Sequence, residues 1–212
     1  MSEVMSKFSH VVQPSEAQEP ILAKPVRNAL LEWLTEVWAK DELAAVGLQE
    51  RRRALFSGPA GTGKTTLAHH LAARLGLPMA IIRPDDIHGR YLGAGAANVK
   101  KIFDMAQAEA ESSGHPLLLF FDEFDTVAQK RMHSGHNVAA EHDHNAMVNA
   151  LLARLDAYDS FIIAATNRID ELFAQTERLR ERLEALLRQP AQPRTPRSYR
   201  DIGAQPGTGA IP

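Results

Sequence analysis

Three glycines, a lysine and a threonine within eight residues constrain this chain more than any other feature. Gly58-Pro59-Ala60-Gly61-Thr62-Gly63-Lys64-Thr65 fits the pattern G-x-x-x-x-G-K-S/T. A short apolar run, residues 54–57, precedes it, and residues 64–75 after it have helical character. A loop of this composition between a strand and a helix makes a cradle for phosphate. Glycine lets successive backbone N–H groups turn inward without interference from a Cβ. The N-terminus of the following helix adds partial positive charge. Lys64 is then placed to reach the β- and γ-phosphates, and the Thr65 hydroxyl to hold Mg²⁺. The alternative, a glycine turn with an incidental lysine, leaves the flanking strand and helix unexplained. The pattern predicts ATP and Mg²⁺ as ligands, with contacts from Gly58, Pro59, Ala60, Gly61, Thr62, Gly63, Lys64, Thr65 and Thr66.

A second motif completes the first. Leu117-Leu118-Leu119-Phe120-Phe121-Asp122-Glu123 is an apolar run that delivers two carboxylates at its end. An uninterrupted apolar strand is buried on both faces, as in a parallel sheet. In open α/β sheets the C-terminal strand edge is where ligands bind. Asp122 is suited to hold Mg²⁺, directly or through water. Glu123 is suited to polarise a water for attack on the γ-phosphate. Alone, a strand followed by Asp-Glu is an ordinary loop start. Beside a phosphate loop it reads as the other half of one site.

The rest of the chain alternates strands with helices, which means an α/β fold with a largely parallel sheet. Residues 1–25 carry Pro14, Pro20 and Pro25 and little periodicity, so they read as a leader or linker. Residues 26–40 repeat apolar positions at helical spacing, and the nucleotide-binding core is expected over 26–170. Further strands are expected at 79–82 and 161–165, with helices near 98–111 and up to about 158. Residues 171–188 read as an amphipathic helix, and 189–212, rich in proline and glycine, as a disordered tail.

Composition removes several alternatives. With no cysteine, disulfides, zinc-thiolate sites and thiol catalysis are excluded. A formal net charge of −2 does not ask for a nucleic-acid partner. No apolar run approaches the roughly 20 residues needed to span a bilayer, and the first 20 residues lack the core of a signal peptide. A soluble, cytoplasmic protein is the expectation.

Residues 46–167 resemble the nucleotide-binding core of an AAA+ ATPase. GPAGTGKTT is similar to its Walker A segment, LLLFFDEFD to its Walker B segment and AATNRID to its sensor-1 strand end, in the family's order and spacing. The resemblance implies a three-layer P-loop NTPase core that hydrolyses ATP to ADP. Lys64, Glu123 and Asn167 would carry catalysis, with Asn167 as sensor 1 orienting the attacking water. An asparagine that merely turns the chain after a strand is the alternative. Arg90-Tyr91-Leu92-Gly93 is similar to the aromatic–hydrophobic–glycine pore loop of the protein-remodelling members, although Ala94 stands where the family often has Glu. An aromatic on a glycine-flanked loop grips an extended polypeptide by apolar contact; a tyrosine packed on its own domain is the alternative. The resemblance thus implies a protein substrate, through Tyr91, Leu92 and Gly93, and a homo-oligomeric ring.

Two other clusters read more plainly. His133, His136, His142 and His144 fit no closed zinc spacing and are expected to be solvated on a loop. Arg51-Arg52-Arg53 is expected to be a solvated turn.

The family pattern dissolves at Phe173. Arg178 and Arg180 lie at about the right distance from Asn167 for an arginine finger, but i,i+4 pairing in a Glu/Arg-rich helix explains them equally. No apolar segment beyond residue 190 is available for a fifth strand beside the P-loop strand, and no helical lid follows. These features lead to the expectation of a truncated or frameshifted member of the family. Its function is expected to be Mg-dependent ATP hydrolysis coupled to protein remodelling. A hydrolysis-deficient nucleotide-binding fragment and a DNA-linked loader or transposition helper are the alternatives.

Overall fold

The computed structural model describes residues 11–88, 94–128 and 138–170. Within them a five-stranded sheet is flanked by helices on both faces. In chain order the elements are β1 (Val11–Val12), a 3-10 turn (Pro14–Glu16), α1 (Lys24–Trp38), α2 (Lys40–Ala45), β2 (Arg53–Ser57), α3 (Lys64–Leu75) and β3 (Met79–Ile82). There follow α4 (Pro84–Ile87), α5 (Ala94–Ser113), β4 (Leu118–Phe121), α6 (Phe124–Ala128), α7 (Val138–Ala157) and β5 (Ile162–Thr166).

The strands lie in the order β1-β3-β4-β5-β2. All pairings among β2 to β5 are parallel, and only β1 runs antiparallel, on the far side of β3. The three central strands are apolar at almost every position because both of their faces are covered. Their side chains alternate between two cores, as the period of two in a strand requires. Ala80, Ile82, Leu119, Phe121, Ile162 and Ala164 pack with α5, α6 and α7. Met79, Ile81, Leu118, Phe120, Ile163 and Ala165 pack with α1 and α3.

The order β4-β5-β2 positions the site. The chain leaves β2 for α3, forms β3 and β4 further along the sheet, then returns to insert β5 between β4 and β2. The C-terminal ends of β2, β4 and β5 therefore lie side by side, at a crevice between helices on opposite faces. Such switch points are the usual ligand sites of open α/β sheets.

The sequence reading and the structure differ at three places. Residues 11–16, read as part of a leader, belong to the fold: Val11 and Val12 pair with Ala80 and Met79, and Val12 is buried. A strand of two residues is too short to show alternation, so only its partner reveals it. This is the sheet's fifth strand, and it lies at the edge opposite β2; among the described residues no strand lies beyond β2. Second, the helix expected from residue 98 begins at Ala94, and α7 already includes His142 and His144.

Third, the arginines at 51–53 are engaged rather than simply solvated. Arg51 pairs with Glu36 at 2.5 Å and Arg52 with Glu50 at 2.7 Å. The hydrogen bond from Arg51 to Glu36 raises its pKa further above the ordinary arginine value. Arg53 opens β2 and donates to Leu155 O at 3.0 Å, Ser160 O at 2.6 Å and Tyr158 O. It thereby caps carbonyls at the end of α7, where a cation also suits the helix dipole. The acceptors lie about a hundred residues away in sequence, so a local charge run gives no hint of them.

Candidate functional site

The loop between β2 and α3 is shaped by its glycines. Gly61 and Gly63 have φ of +76° and +84°, a region that residues with a Cβ rarely adopt. Thr62 Oγ1 donates to Pro59 O at 2.8 Å and closes the loop on itself. At its base, Gly58 N–H donates to Thr166 O at 3.3 Å, continuing the β2–β5 pairing and seating the loop against the end of β5.

Lys64, the first residue of α3, turns back over this loop. Its Nζ donates to Gly58 O at 2.7 Å, Pro59 O at 2.9 Å and Asn167 Oδ1 at 2.7 Å. An ammonium has three protons, and these three acceptors use them all. Thr65 lies one residue on, and its Oγ1 stands 3.5 Å from Asp122 Oδ2. The structure thus brings Lys64, Thr65, Asp122 and Asn167 together from three chain segments.

The two carboxylates at the end of β4 differ in setting. Asp122 N–H still donates to Ile82 O at 2.9 Å, so Asp122 continues the β3–β4 ladder and is half-buried. Its Oδ1 accepts the Glu123 N–H at 3.0 Å, which leaves Oδ2 toward Thr65. Glu123 is exposed and has φ of +49°, the one non-glycine residue in the left-handed region among those described. Backbone in that region costs energy for a residue with a Cβ and persists where its surroundings hold it. Here the turn sends the chain into α6 and leaves Glu123 exposed.

A hydroxyl and a carboxylate oxygen 3.5 Å apart form a donor set of hard oxygens, the kind Mg²⁺ takes when phosphate and water supply its remaining ligands. Thr65 and Asp122 therefore fit the ion expected from the sequence.

An open cavity of about 880 Å³ adjoins the loop. Ile21, Leu22 and Val26 supply apolar wall, while Gly61, Thr62 and Lys64 line it on the loop side. The volume lies within the usual range for small-molecule and cofactor sites. The sequence places residues 20–23 in a leader, whereas the structure sets them beside the phosphate loop; the apolar pair Ile21-Leu22 in a polar stretch is the signal that marks them.

Asp125 also belongs to the site's surroundings. It is buried at 5% exposure on the first turn of α6. It accepts from Thr166 Oγ1 at 2.9 Å and from Asn167 N–H at 3.3 Å. An aspartate in the first turn of a helix suits the helix dipole wherever it occurs, so its residue type alone does not mark it.

Tyr91, Leu92, Gly93, Arg178, Arg180, His133 and His136 lie outside the described residues. Among the described residues no group of three His, Asp or Glu could hold a metal, and no helix is long and apolar enough to cross a membrane.

The model of the ATPase family associated with various cellular activities (AAA) matches residues 54–190. An uncharacterized AAA family ATPase, y4kL, of Sinorhizobium fredii is 36% identical over 171 residues, covering 78% of this chain and 48% of its own length. The peroxisomal ATPase PEX6 of Candida glabrata is 36% identical over 152 residues, covering 69% of this chain and 14% of its own. PEX6 of Penicillium chrysogenum is 35% identical over 155 residues, covering 69% and 10%. The chain thus spans about half the length of the first of these relatives and a seventh or less of the others.

Proposed function

The chain belongs to the AAA family of ATPases, and on that premise we propose that it binds ATP with Mg²⁺ at the β2–α3 loop and hydrolyses it to ADP and phosphate. The observation that carries this reading is the meeting of Lys64, Thr65, Asp122 and Asn167 at adjoining strand ends. In this reading the backbone of 58–63 cradles the phosphates, and Lys64 neutralises charge on the β- and γ-groups. Thr65 and Asp122 hold Mg²⁺, which supplies charge neutralisation on the phosphate oxygens. Glu123 accepts a proton from the attacking water, and Asn167 fixes that water's orientation. Ile21, Leu22 and Val26 offer apolar surface for the base.

A polypeptide is the substrate on which we place the work of hydrolysis, and a homo-oligomeric ring is the form that does it. This part of the reading rests on Arg90-Tyr91-Leu92-Gly93, through the resemblance to pore loops of remodelling ATPases. Replacing Tyr91 by Ala tests it: nucleotide turnover persists while work on a protein substrate is lost, whereas equal loss of both makes the tyrosine structural.

The ATP reading itself is tested by titrating the chain with ATP in Mg²⁺ and again in excess chelator, then following phosphate release. Tight Mg-dependent binding with release of phosphate supports it. Binding without release, even with protein in large excess, reduces the chain to a nucleotide-binding module. No binding at all removes the reading.

A further inference from the structure

Asp125 is a buried carboxylate beside the site with no part in the chemistry above. It lies three residues beyond Asp122, on the helix that continues β4, and it reaches across to β5. Its Oδ1 accepts from both Thr166 Oγ1, at 2.9 Å, and the backbone N–H of Asn167, at 3.3 Å. Thr166 is fully buried, and its Oγ1 in turn accepts the N–H of Arg168 at 3.0 Å. The backbone on both sides of Asn167 is thereby tied to the helix that begins at the β4 carboxylates. The Asn167 side chain takes no part in this clamp and accepts from Lys64 Nζ at 2.7 Å.

We infer that Asp125 is a positioning residue, which holds Asn167 at a fixed distance from the phosphate loop and from Glu123. The inference rests on the ATP reading above. Three physical points carry it. A carboxylate at 5% exposure is costly without hydrogen bonds, and the fold supplies two of them to its Oδ1. Both bonds end within two residues of the asparagine that touches Lys64, so rotating that strand end breaks them. Finally, β5 stops at Thr166, and beyond the last ladder bond a chain end is free to splay unless side chains hold it. Asp125 does for Asn167 what the sheet no longer does. An orienting group misplaced by about 1 Å costs about a hundredfold in rate.

The test is a double-mutant cycle in the full chain. Asp125→Ala and Asn167→Ala are made singly and together, and ATP affinity and single-turnover hydrolysis, with protein in excess, are measured for each. Asp125→Ala is expected to lower the single-turnover rate about a hundredfold while ATP affinity holds. In the Asn167→Ala background it is expected to add no further loss, because a residue that acts through another is silent once that other is gone. Asp125→Asn, which keeps an acceptor oxygen, is expected to recover most of the rate. Hydrogen exchange at the amides of Asn167 and Arg168 gives a readout without nucleotide, and Asp125→Ala is expected to speed it at least about tenfold. Thr166→Val, with Thr166→Ser as its rescue, replaces Asp125→Ala if that variant does not fold.

Unchanged exchange at residues 167 and 168 overturns the inference. So does a loss in the double variant that equals the product of the single losses, or a matching fall in affinity and rate. A parent chain that binds no ATP overturns the ATP reading instead, and the exchange data still decide whether Asp125 fixes Asn167.

Discussion

The ammonium of Lys64 and the side-chain oxygen of Asn167 lie 2.7 Å apart although 103 positions separate them in sequence. The bond joins the phosphate loop to the end of β5, and it takes the third of three protons that Lys64 has to give. A phosphate oxygen reaches this ammonium only by displacing one of the three acceptors. Asn167 is therefore one of three acceptors that compete with phosphate for this cation.

Two substitutions separate their roles. Lys64→Ala removes the charge, and ATP affinity is expected to fall by about 1.5–3 kcal/mol, the range for hydrogen bonds to charged groups. Asn167→Ala removes a competitor, so its affinity for ATP is expected to equal or exceed that of the parent while turnover drops. Titration calorimetry reads both. A Lys64→Ala chain that binds ATP as tightly as the parent would falsify the placement of the phosphates.

Glu123 follows Asp122 at the end of β4, exposed and on a left-handed backbone. Its expected work is to accept a proton, which the amide of Glu123→Gln does not do. This variant is expected to keep ATP affinity and to lose about 10²–10⁴ in turnover, the usual contribution of a positioned base. Phosphate release under single-turnover conditions measures it. Turnover within a factor of two of the parent assigns the base elsewhere.

How far the sequence carries such a structure depends on whether the signal is local. The strand at 79–82 and the helix at 64–75 are read to the residue, because an apolar run bounded by glycine and proline, or a glycine loop ending in lysine, needs nothing distant to define it. Lys64, Thr65 and Asp122 could be named for the same reason: each sits at a strand or helix terminus that the pattern marks, whereas Asn167 is named through the family resemblance. Val11-Val12 could not be seen, since two residues carry no period and the pairing partner is Met79-Ala80. Asp125 and Arg53 were hidden differently. Their residue types were plain, but their acceptors and donors arrive from β5 and α7, and long-range hydrogen bonds of single side chains leave no mark on composition or spacing.

Tyr158 closes the core below the site. Its hydroxyl donates to Leu117 O at 2.5 Å, its ring meets Phe103 edge-on at 5.5 Å, and the residue is 7% exposed. Tyr158→Phe keeps the ring and removes the donor to a buried carbonyl. The expected cost is about 1–2 kcal/mol, or roughly 2–8 °C in Tm for a domain of this size. Thermal unfolding checks it, and no shift would mean that the hydroxyl contributes nothing net.

Arg53 gives the last prediction. Its guanidinium spans the carbonyls of Leu155, Tyr158 and Ser160, so one side chain holds β2, the end of α7 and the approach to β5 together. β2 needs such a tie more than the other strands, because it lies at the edge of the sheet and carries the phosphate loop. Arg53→Met fills similar volume but leaves the carbonyls of Leu155, Tyr158 and Ser160 without the donor that served them. Arg53→Lys restores the charge but not the planar fork, and one ammonium cannot match that set of directions. The expected order of stability is parent, then Lys, then Met, with Met at least about 2 kcal/mol below the parent in urea unfolding. ATP affinity is expected to fall with stability, since the loop at Gly58 hangs on the same strand. If the Lys and Met variants unfold together with the parent, the carbonyls are served by water, and Arg53 is no more than the surface charge its sequence suggests.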